Sequence, residues 1–433
     1  MSGHVIVVDL SYGDAGKGTV VDWLCARPAG WPVQAVVRFN GGAQAAHHVV
    51  TADGRHHAFA QFGSGTFTPG VVTHLSRFML VEPLALAAEA RHLAALGVPD
   101  ALDRITVDRR ALLTTPYHRA ANRAREVARG AGRHGSCGIG IGETMAYAID
   151  HPADAPVAGD GQAPGVLRGK LRRLLDHLSA QLDLGDVPPV EAVVDAYRAF
   201  AERVPLVDGA ELDRLLRAGP VVFEGAQGVL LDEWRGFHPH TTWSTTTFDN
   251  AETLLAEAGR AGDAYRLGVV RTYTTRHGAG PFVTEDAGLT AALPDGHNGR
   301  HDWQGDFRVG HFDAVAHRYA VEVCGRVDGL AVTHLDRAAR HPELLVCDAY
   351  EVGGSLVRRL EPGPFRDLGY QEALTGRLLD ARPVCRPPAG DWPAVIGDAL
   401  GVPAAAGSWG PTAGDKAWLA PVAGERDRTA VRA

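Results

Sequence analysis

Gly13-Asp14-Ala15-Gly16-Lys17-Gly18-Thr19 sets a lysine and a carboxylate inside a glycine-rich turn. Such a turn exposes backbone N–H groups, and at a helix N-terminus these cradle phosphate. Lys17 adds a positive charge beside them. The spacing is not that of an ordinary Walker loop, which runs Gly, four residues, then Gly-Lys-Ser/Thr. Ser11 takes the place of the first glycine, and Gly18 separates Lys17 from Thr19. Asp14 would repel a phosphate unless it holds a metal or a proton of the reaction. The plain alternative is a flexible turn with Asp14 as a turn former.

The elements that position this loop are legible around it. Val5-Ile6-Val7-Val8 is a β-branched run and reads as a buried strand; Val20-Val21-Asp22-Trp23-Leu24 opens a helical pattern. Ala35–Phe39, Pro220–Phe223, Leu267–Arg271 and Leu330–Thr333 read as further buried strands, each followed by a polar or glycine-rich loop. This predicts an α/β fold: a large, mostly parallel sheet with its site at the strand ends. Val166–Val204 reads as helix, with Leu167, Leu171, Leu174, Leu175 and Leu178 on one face, and gives a helical excursion over 151–215. Pro152–Gly165 reads as an exposed loop. From about Tyr350 to residue 420 strands and turns suggest a small C-terminal lobe, and 421–433 a disordered tail.

The chain has 433 residues, 45% hydrophobic and 22% charged, with a net charge of −8. That balance gives no general pull toward nucleic acid or an anionic membrane. Five scattered cysteines argue against a disulfide framework or a cysteine zinc site. Neither a signal peptide nor a membrane-length apolar run is evident, so the expectation is a soluble cytoplasmic protein.

Four more loops carry polar groups. They are Gly41-Gly42-Ala43-Gln44-Ala45-Ala46-His47-His48, Gly135-Ser136-Cys137-Gly138-Ile139-Gly140-Ile141-Gly142, Glu224-Gly225-Ala226-Gln227-Gly228 leading to Thr241-Thr242, and Thr272–Phe282. With the first loop, in this order from residue 5 to about 420, they resemble the adenylosuccinate synthetase family. The resemblance implies one catalytic unit over 1–420, a GTP-dependent C–N ligase of purine biosynthesis and a homodimer with composite active sites. GTP would phosphorylate a purine 6-oxo group, and an amino acid amine, aspartate in the family, would displace phosphate. Asp14 matches the base at purine N1 and, with the Ala46 carbonyl, a Mg²⁺ ligand. His47 matches the acid on the GTP side, although alone it would read as an ordinary loop histidine. Positioned acids and bases contribute about 10²–10⁴-fold each.

The resemblance further gives GTP to Gly13, Ala15, Gly16, Lys17, Gly18, Thr19, His48, His334, Asp336, Ser408 and Gly410. Asp336 would read guanine, and His334 stands where the family has lysine. The nucleotide substrate would meet Gln44, Cys137, Gln227 and Thr242, with His151 where the family uses an arginine from the partner subunit. Ala15 replaces a family glutamate. The largest departure is the amino-donor loop, where the family carries several arginines for the two carboxylates of aspartate. In Arg300–Asp313, Gly305 or Asp306 takes the first arginine position and Arg308 remains, with Arg300 upstream. Two like charges about 4 Å apart at an effective dielectric near 20 repel by about 4 kcal/mol. An Asp306 facing the donor would therefore disfavour aspartate. Three readings stand: the IMP and aspartate enzyme, a specialised paralogue with another donor or purine, and a GTP-binding regulatory pseudoenzyme. An ordinary kinase or switch GTPase is disfavoured by the broken Walker spacing and the absent Asn-Lys-x-Asp signature.

Overall fold

The computed structural model describes residues 3–26, 31–130, 135–296, 298–299 and 303–419. Arg300 and the 421–433 tail lie outside these residues. A ten-stranded sheet forms the centre. From one edge its order is Lys416–Trp418, Ala404–Ser408, Gly329–Thr333, Ala264–Arg271, His4–Asp9, Val221–Glu224, Ala35–Arg38, Val72–Leu75, Ile105–Asp108 and Leu206–Val207. All neighbours are parallel except the Lys416–Trp418 edge strand.

Strand periodicity sorts the core. Val5 and Val7 pack with Val20, Val21 and Leu24 of the following helix on one face; Ile6 and Val8 join Val37, Phe223 and Val332 on the other. Each such side chain, fully buried, contributes roughly 1.5–3 kcal/mol. The sheet thereby fixes six strand ends in one row, and the loops leaving them build the site.

A helical layer packs beside the sheet. Leu167, Leu171, Leu174 and Leu178 of the Pro164–Ser179 helix meet Val193, Val194, Tyr197 and Phe200 of the Val190–Arg203 helix, with Leu175 half-buried at the edge. Pro152–Gly165 is not the exposed loop its composition suggests: Ala155, Ala158 and Asp160 are buried, and Asp160 pairs with Lys170 at 2.8 Å. Its small residues permit the close approach; a Cβ on Gly161 would lie 2.8 Å from the Ala201 Cβ. The C-terminal part is also more helical than expected, with helices at Leu368–Leu379 and Trp392–Leu400. A second sheet comprises Phe312–Asp313, Val346–Val352, Ser355–Val357 and Arg382–Arg386, and the Trp392–Leu400 helix packs on the Ala404–Ser408 and Gly329–Thr333 strands of the main sheet. No helix among the described residues is long and apolar enough to cross a membrane.

Candidate active site

The first loop is organised by a residue that sequence reading passed over. Asp9, at the end of the first strand, accepts from the Ser11 and Ala15 amides at 2.8 Å each and from Lys17 Nζ at 3.1 Å. Lys17 and Asp9 are both buried, and an ion pair so placed costs roughly 3–5 kcal/mol to break from one side. An acid closing a buried apolar strand is the signal that could have found it. Gly13 and Gly16 adopt φ of 96° and 94°, and Asp14 lies in the left-handed region at φ 58°. Gly18, the residue that breaks the Walker spacing, admits the second loop: a Cβ there would sit 2.7 Å from the His47 Cβ.

Asp14 is held at both ends. Its carbonyl accepts from Arg271 Nε at 2.5 Å, and its Oδ2 lies 3.3 Å from His277 Nε2. Burial pushes the Asp14 carboxyl up, but His277, Arg271 and Lys17 outweigh it and hold the group at about 2. It is therefore an ionised base at neutral pH.

His47 is buried, and its Nδ1 lies 2.6 Å from Glu224 Oε1. Glu224 also accepts from the Ser64 amide at 2.9 Å and from the Ser64 hydroxyl. Burial would raise the Glu224 carboxyl, yet His47, Arg38 and Ser64 bring it to about 2. Burial lowers the His47 pKa; Glu224 opposes this, while Arg38 and Lys17 reinforce it. A histidine whose Nδ1 is committed to a carboxylate has its tautomer and ring orientation set, and Nε2 is left for the ligand. Glu224 was read only as the start of a loop; its partner lies 177 residues away in sequence.

The second and fourth loops are tied by Asn40, which accepts from the Ala226 amide at 2.7 Å and donates to its carbonyl at 3.1 Å. Gln44 Nε2 and Oε1 and Gln227 Oε1 are buried without a partner. A Cβ on Gly41 would lie 3.6 Å from Gln44 Nε2 and 3.9 Å from Gln227 Oε1, so the two amides flank one backbone point. Unsatisfied buried amides are costly, so a polar ligand reaching this point would supply their missing partners.

Around Thr333, Thr19 and Ser408, where the resemblance would place GTP, the chain segments are stitched together. Thr333 Oγ1 donates to the Ala15 carbonyl at 2.7 Å, and Thr19 Oγ1 to the Pro411 carbonyl at 2.7 Å. Ser408 Oγ donates to the Gly410 carbonyl at 3.2 Å. His334 sits at φ 59° with its ring edge-on to Tyr273 at 5.6 Å. Burial, with Arg271, Arg337 and Lys416, drives its pKa well down, so it is a neutral ring. Asp336 pairs with Arg340 and lies 3.8 Å from Arg337, at 28% side-chain exposure. His48 stacks on His56 with Nδ1 2.9 Å from its Nε2.

Lys416 anchors the Gly410–Thr412 turn through carbonyls at 3.3 and 2.7 Å. Burial lowers its pKa to about 8, against Asp22 and Asp415. Above pH 8 the ammonium is lost, and its charge-assisted bonds weaken by about half. Steady-state kinetics should show the KM for GTP rising severalfold between pH 7 and 9 with kcat little changed, and Lys416→Arg should flatten that rise.

The remaining expected residues are less convergent. Cys137 lies in a loop braced by Asn122, whose amide donates to Ser136 Oγ at 3.0 Å; burial pushes the Cys137 thiol up. Thr242 donates its amide to the Leu231 carbonyl at 2.8 Å. His151 ends the Ile141–Asp150 helix and packs on Tyr147 and His177, ring centroids 4.8 and 4.7 Å away, so its contacts belong to the helical layer. In the segment expected to meet the amino donor, the Asp306 carbonyl accepts from the Gly278 amide at 3.0 Å. Arg308 Nη1 binds Glu285 at 2.6 Å and Nη2 binds the Gly278 and Gly280 carbonyls. Its guanidinium clamps the hairpin of Thr274–His277 and Phe307–Gly310.

Among the described residues no group of three or more His, Cys, Asp or Glu could hold a metal. The donor set offered is one carboxylate, Asp14, 30% exposed in the glycine-rich turn, and Ala46 is an exposed residue of the second loop. That fits a hard cation shared with phosphate oxygens and waters rather than one in a protein cage.

The sequence profile described as adenylosuccinate synthetase matches residues 6–371. The chain belongs to this family. It is 34% identical over 368 residues to the adenylosuccinate synthetase of Neisseria gonorrhoeae (strain ATCC 700825 / FA 1090), covering 82% of each chain. It is 32% identical over 396 residues to that of Desulfovibrio desulfuricans, covering 86% of this chain and 90% of that one. The fold matches the fully ligated adenylosuccinate synthetase of Plasmodium falciparum at a TM-score of 0.82 and 21% identity, over 96% of this chain and 100% of that one. It also matches the succinoaminodeoxyadenylate synthetase of cyanophage S-2L, solved with dGMP and dATP, at a TM-score of 0.59 and 19% identity. As a member of the adenylosuccinate synthetase family, the chain is a GTP-dependent ligase that forms a C–N bond on a purine nucleotide.

Proposed function

We propose that Asp14 and His47 are the base and acid of a two-step amination of a 6-oxopurine nucleotide, IMP or a close analogue. Asp14 takes the N1 proton, and the purine O6 then attacks the γ-phosphorus of GTP. Lys17 and the amides of residues 13–19 other than Ala15, whose amide is held by Asp9, bind the triphosphate, and protonated His47, oriented by Glu224, donates to the phosphate oxygens as charge shifts toward GDP. The amine nitrogen next attacks C6 while Asp14 lends its proton to N1; the C6–O bond then breaks, phosphate departs with the former O6, and the N1 proton and one amine proton are released to the departing phosphate and to Asp14, leaving a neutral 6-amino purine. Mg²⁺, bound by Asp14 and the Ala46 carbonyl, would neutralise charge on the phosphate oxygens. Gln44 and Gln227 bind the purine nucleotide, with Thr242 and the Cys137 loop beside them; Asp336 reads guanine. A second subunit brings His151 to the nucleotide in a homodimer, and residues 1–420 act as one catalytic unit in the cytoplasm.

The observation that carries this reading is the pairing of two ionised, buried-edge carboxylates with two histidines around one phosphate loop: Asp14 with His277 and Glu224 with His47. A regulatory protein that only binds GTP has no use for either pair. Aspartate is the reference donor. Arg308 is committed to Glu285, which favours, as a second reading, a donor other than aspartate. Incubation with IMP, GTP, Mg²⁺ and a panel of amino acids, read by product mass, tests both. A purine product carrying the amino acid, with one GDP and one phosphate per turnover, is expected. GTP hydrolysis without any aminated purine would contradict the assignment.

A further inference from the structure

His277 was not singled out by sequence, and beyond its pairing with Asp14 no part in the reaction is yet assigned to it. It is the last residue of the Thr274–His277 strand, paired in register with Phe307 across the donor-side hairpin. Its ring packs on the Phe307 ring with centroids 4.9 Å apart. Nε2 lies 3.3 Å from Asp14 Oδ2 and 3.3 Å from Asn298 Oδ1, whereas Nδ1 is buried with no partner. The polar anchors of the ring are therefore on its Asp14 side. Asp14 needs such an anchor. It sits at φ 58°, a conformation uncommon for a residue with a side chain, in a loop whose Ser11 and Ala15 amides are spent on Asp9.

We propose that His277 is a positioning residue for the phosphorylation step: it holds Oδ2 of Asp14 and leaves Oδ1 as the oxygen that takes the N1 proton. Because His277 rides on the donor-side hairpin, the packing of Phe307 sets how well the base is held. The first chemical step then depends on a hairpin otherwise concerned with the second. This inference rests on the proposed role of Asp14.

The test isolates the first step. GTP labelled with ¹⁸O in the β,γ-bridge scrambles its label when a purine nucleotide is phosphorylated reversibly, and no amine donor is needed. His277→Leu is expected to slow scrambling roughly 10–100-fold, the usual range for loss of an outer partner, with the KM for GTP unchanged. His277→Gln, which keeps an N–H donor, should restore most of the rate. Phe307→Ala, which frees the ring, should slow scrambling in the same direction and serves as the test if His277→Leu fails to fold. Scrambling at the unmodified rate in a folded His277→Leu or Phe307→Ala chain would overturn the proposal. So would a His277→Gln chain of unaltered Tm that is no better than His277→Leu. Asp14→Asn separates the two levels: if it still scrambles label, the assignment of Asp14 itself is wrong, whatever His277 does.

Discussion

Asp14→Asn should lower turnover by about 10²–10⁴-fold, the contribution expected of a positioned general base. The side chain is nearly isosteric, and an amide at that position can still meet His277 Nε2 through its oxygen. The loop should therefore keep its shape, since its amides are fixed by Asp9 and its carbonyl by Arg271. The loss should fall on kcat. With the carboxyl at about 2 in the free chain, the base is ionised throughout the neutral range, so activity should not fall with Asp14 protonation until strongly acid pH. Removal of the negative charge should also weaken Mg²⁺ binding, so the Mg²⁺ concentration for half-maximal initial rate should rise, which a Mg²⁺ titration would detect. Near-normal turnover would show that the proton is taken elsewhere.

The second large effect is expected at the histidine–glutamate pair. His47→Ala should reduce kcat by about 10²–10⁴-fold and leave Glu224 a buried carboxylate without its imidazole, so thermal stability should drop as well. Glu224→Gln is more discriminating. It keeps the shape and the bond to the Ser64 amide, yet it removes the charge that holds the imidazole ready for protonation. Since burial, Arg38 and Lys17 all depress the His47 pKa and Glu224 opposes them, the variant should titrate at lower pH. Activity that requires protonated His47 falls as pH rises through its pKa, and the midpoint of that fall moves down in Glu224→Gln. Stopped assays of phosphate release across pH 5–9 would show this; an unmoved profile would mean that Glu224 only packs.

The parts of this architecture that sequence revealed are those where one short stretch carries the whole signal. The Val5–Val8 run and the turn at Gly13–Thr19 are local, because a buried parallel strand and a left-handed turn each restrict residue types within a few positions. The groups that support the chemistry are not local. Glu224 reaches His47 across 177 residues, Asn40 reaches Ala226 across 186, and Arg271 reaches Asp14 across 257. Each is an ordinary residue type until the sheet brings its strand end alongside the others.

The misread segments have the same origin. Leu368–Leu379 contains Gly369 and Gly376 and buries Gln371 and Thr375 beside Leu374 and Leu378, so its apolar stripe is broken by polar residues. Gln371 is satisfied there by Tyr319, which sequence could not foresee. Cys347 and Cys385, far apart along the chain, are register partners on adjacent strands.

The account depends on the purine oxygen becoming a phosphate oxygen. IMP labelled with ¹⁸O at position 6, turned over with GTP, Mg²⁺ and the productive amine, tests this directly by mass analysis of the phosphate released. Transfer of one ¹⁸O into each inorganic phosphate formed is the predicted result. Phosphate bearing oxygen from water alone, with the label left on the purine or lost to solvent, would contradict it.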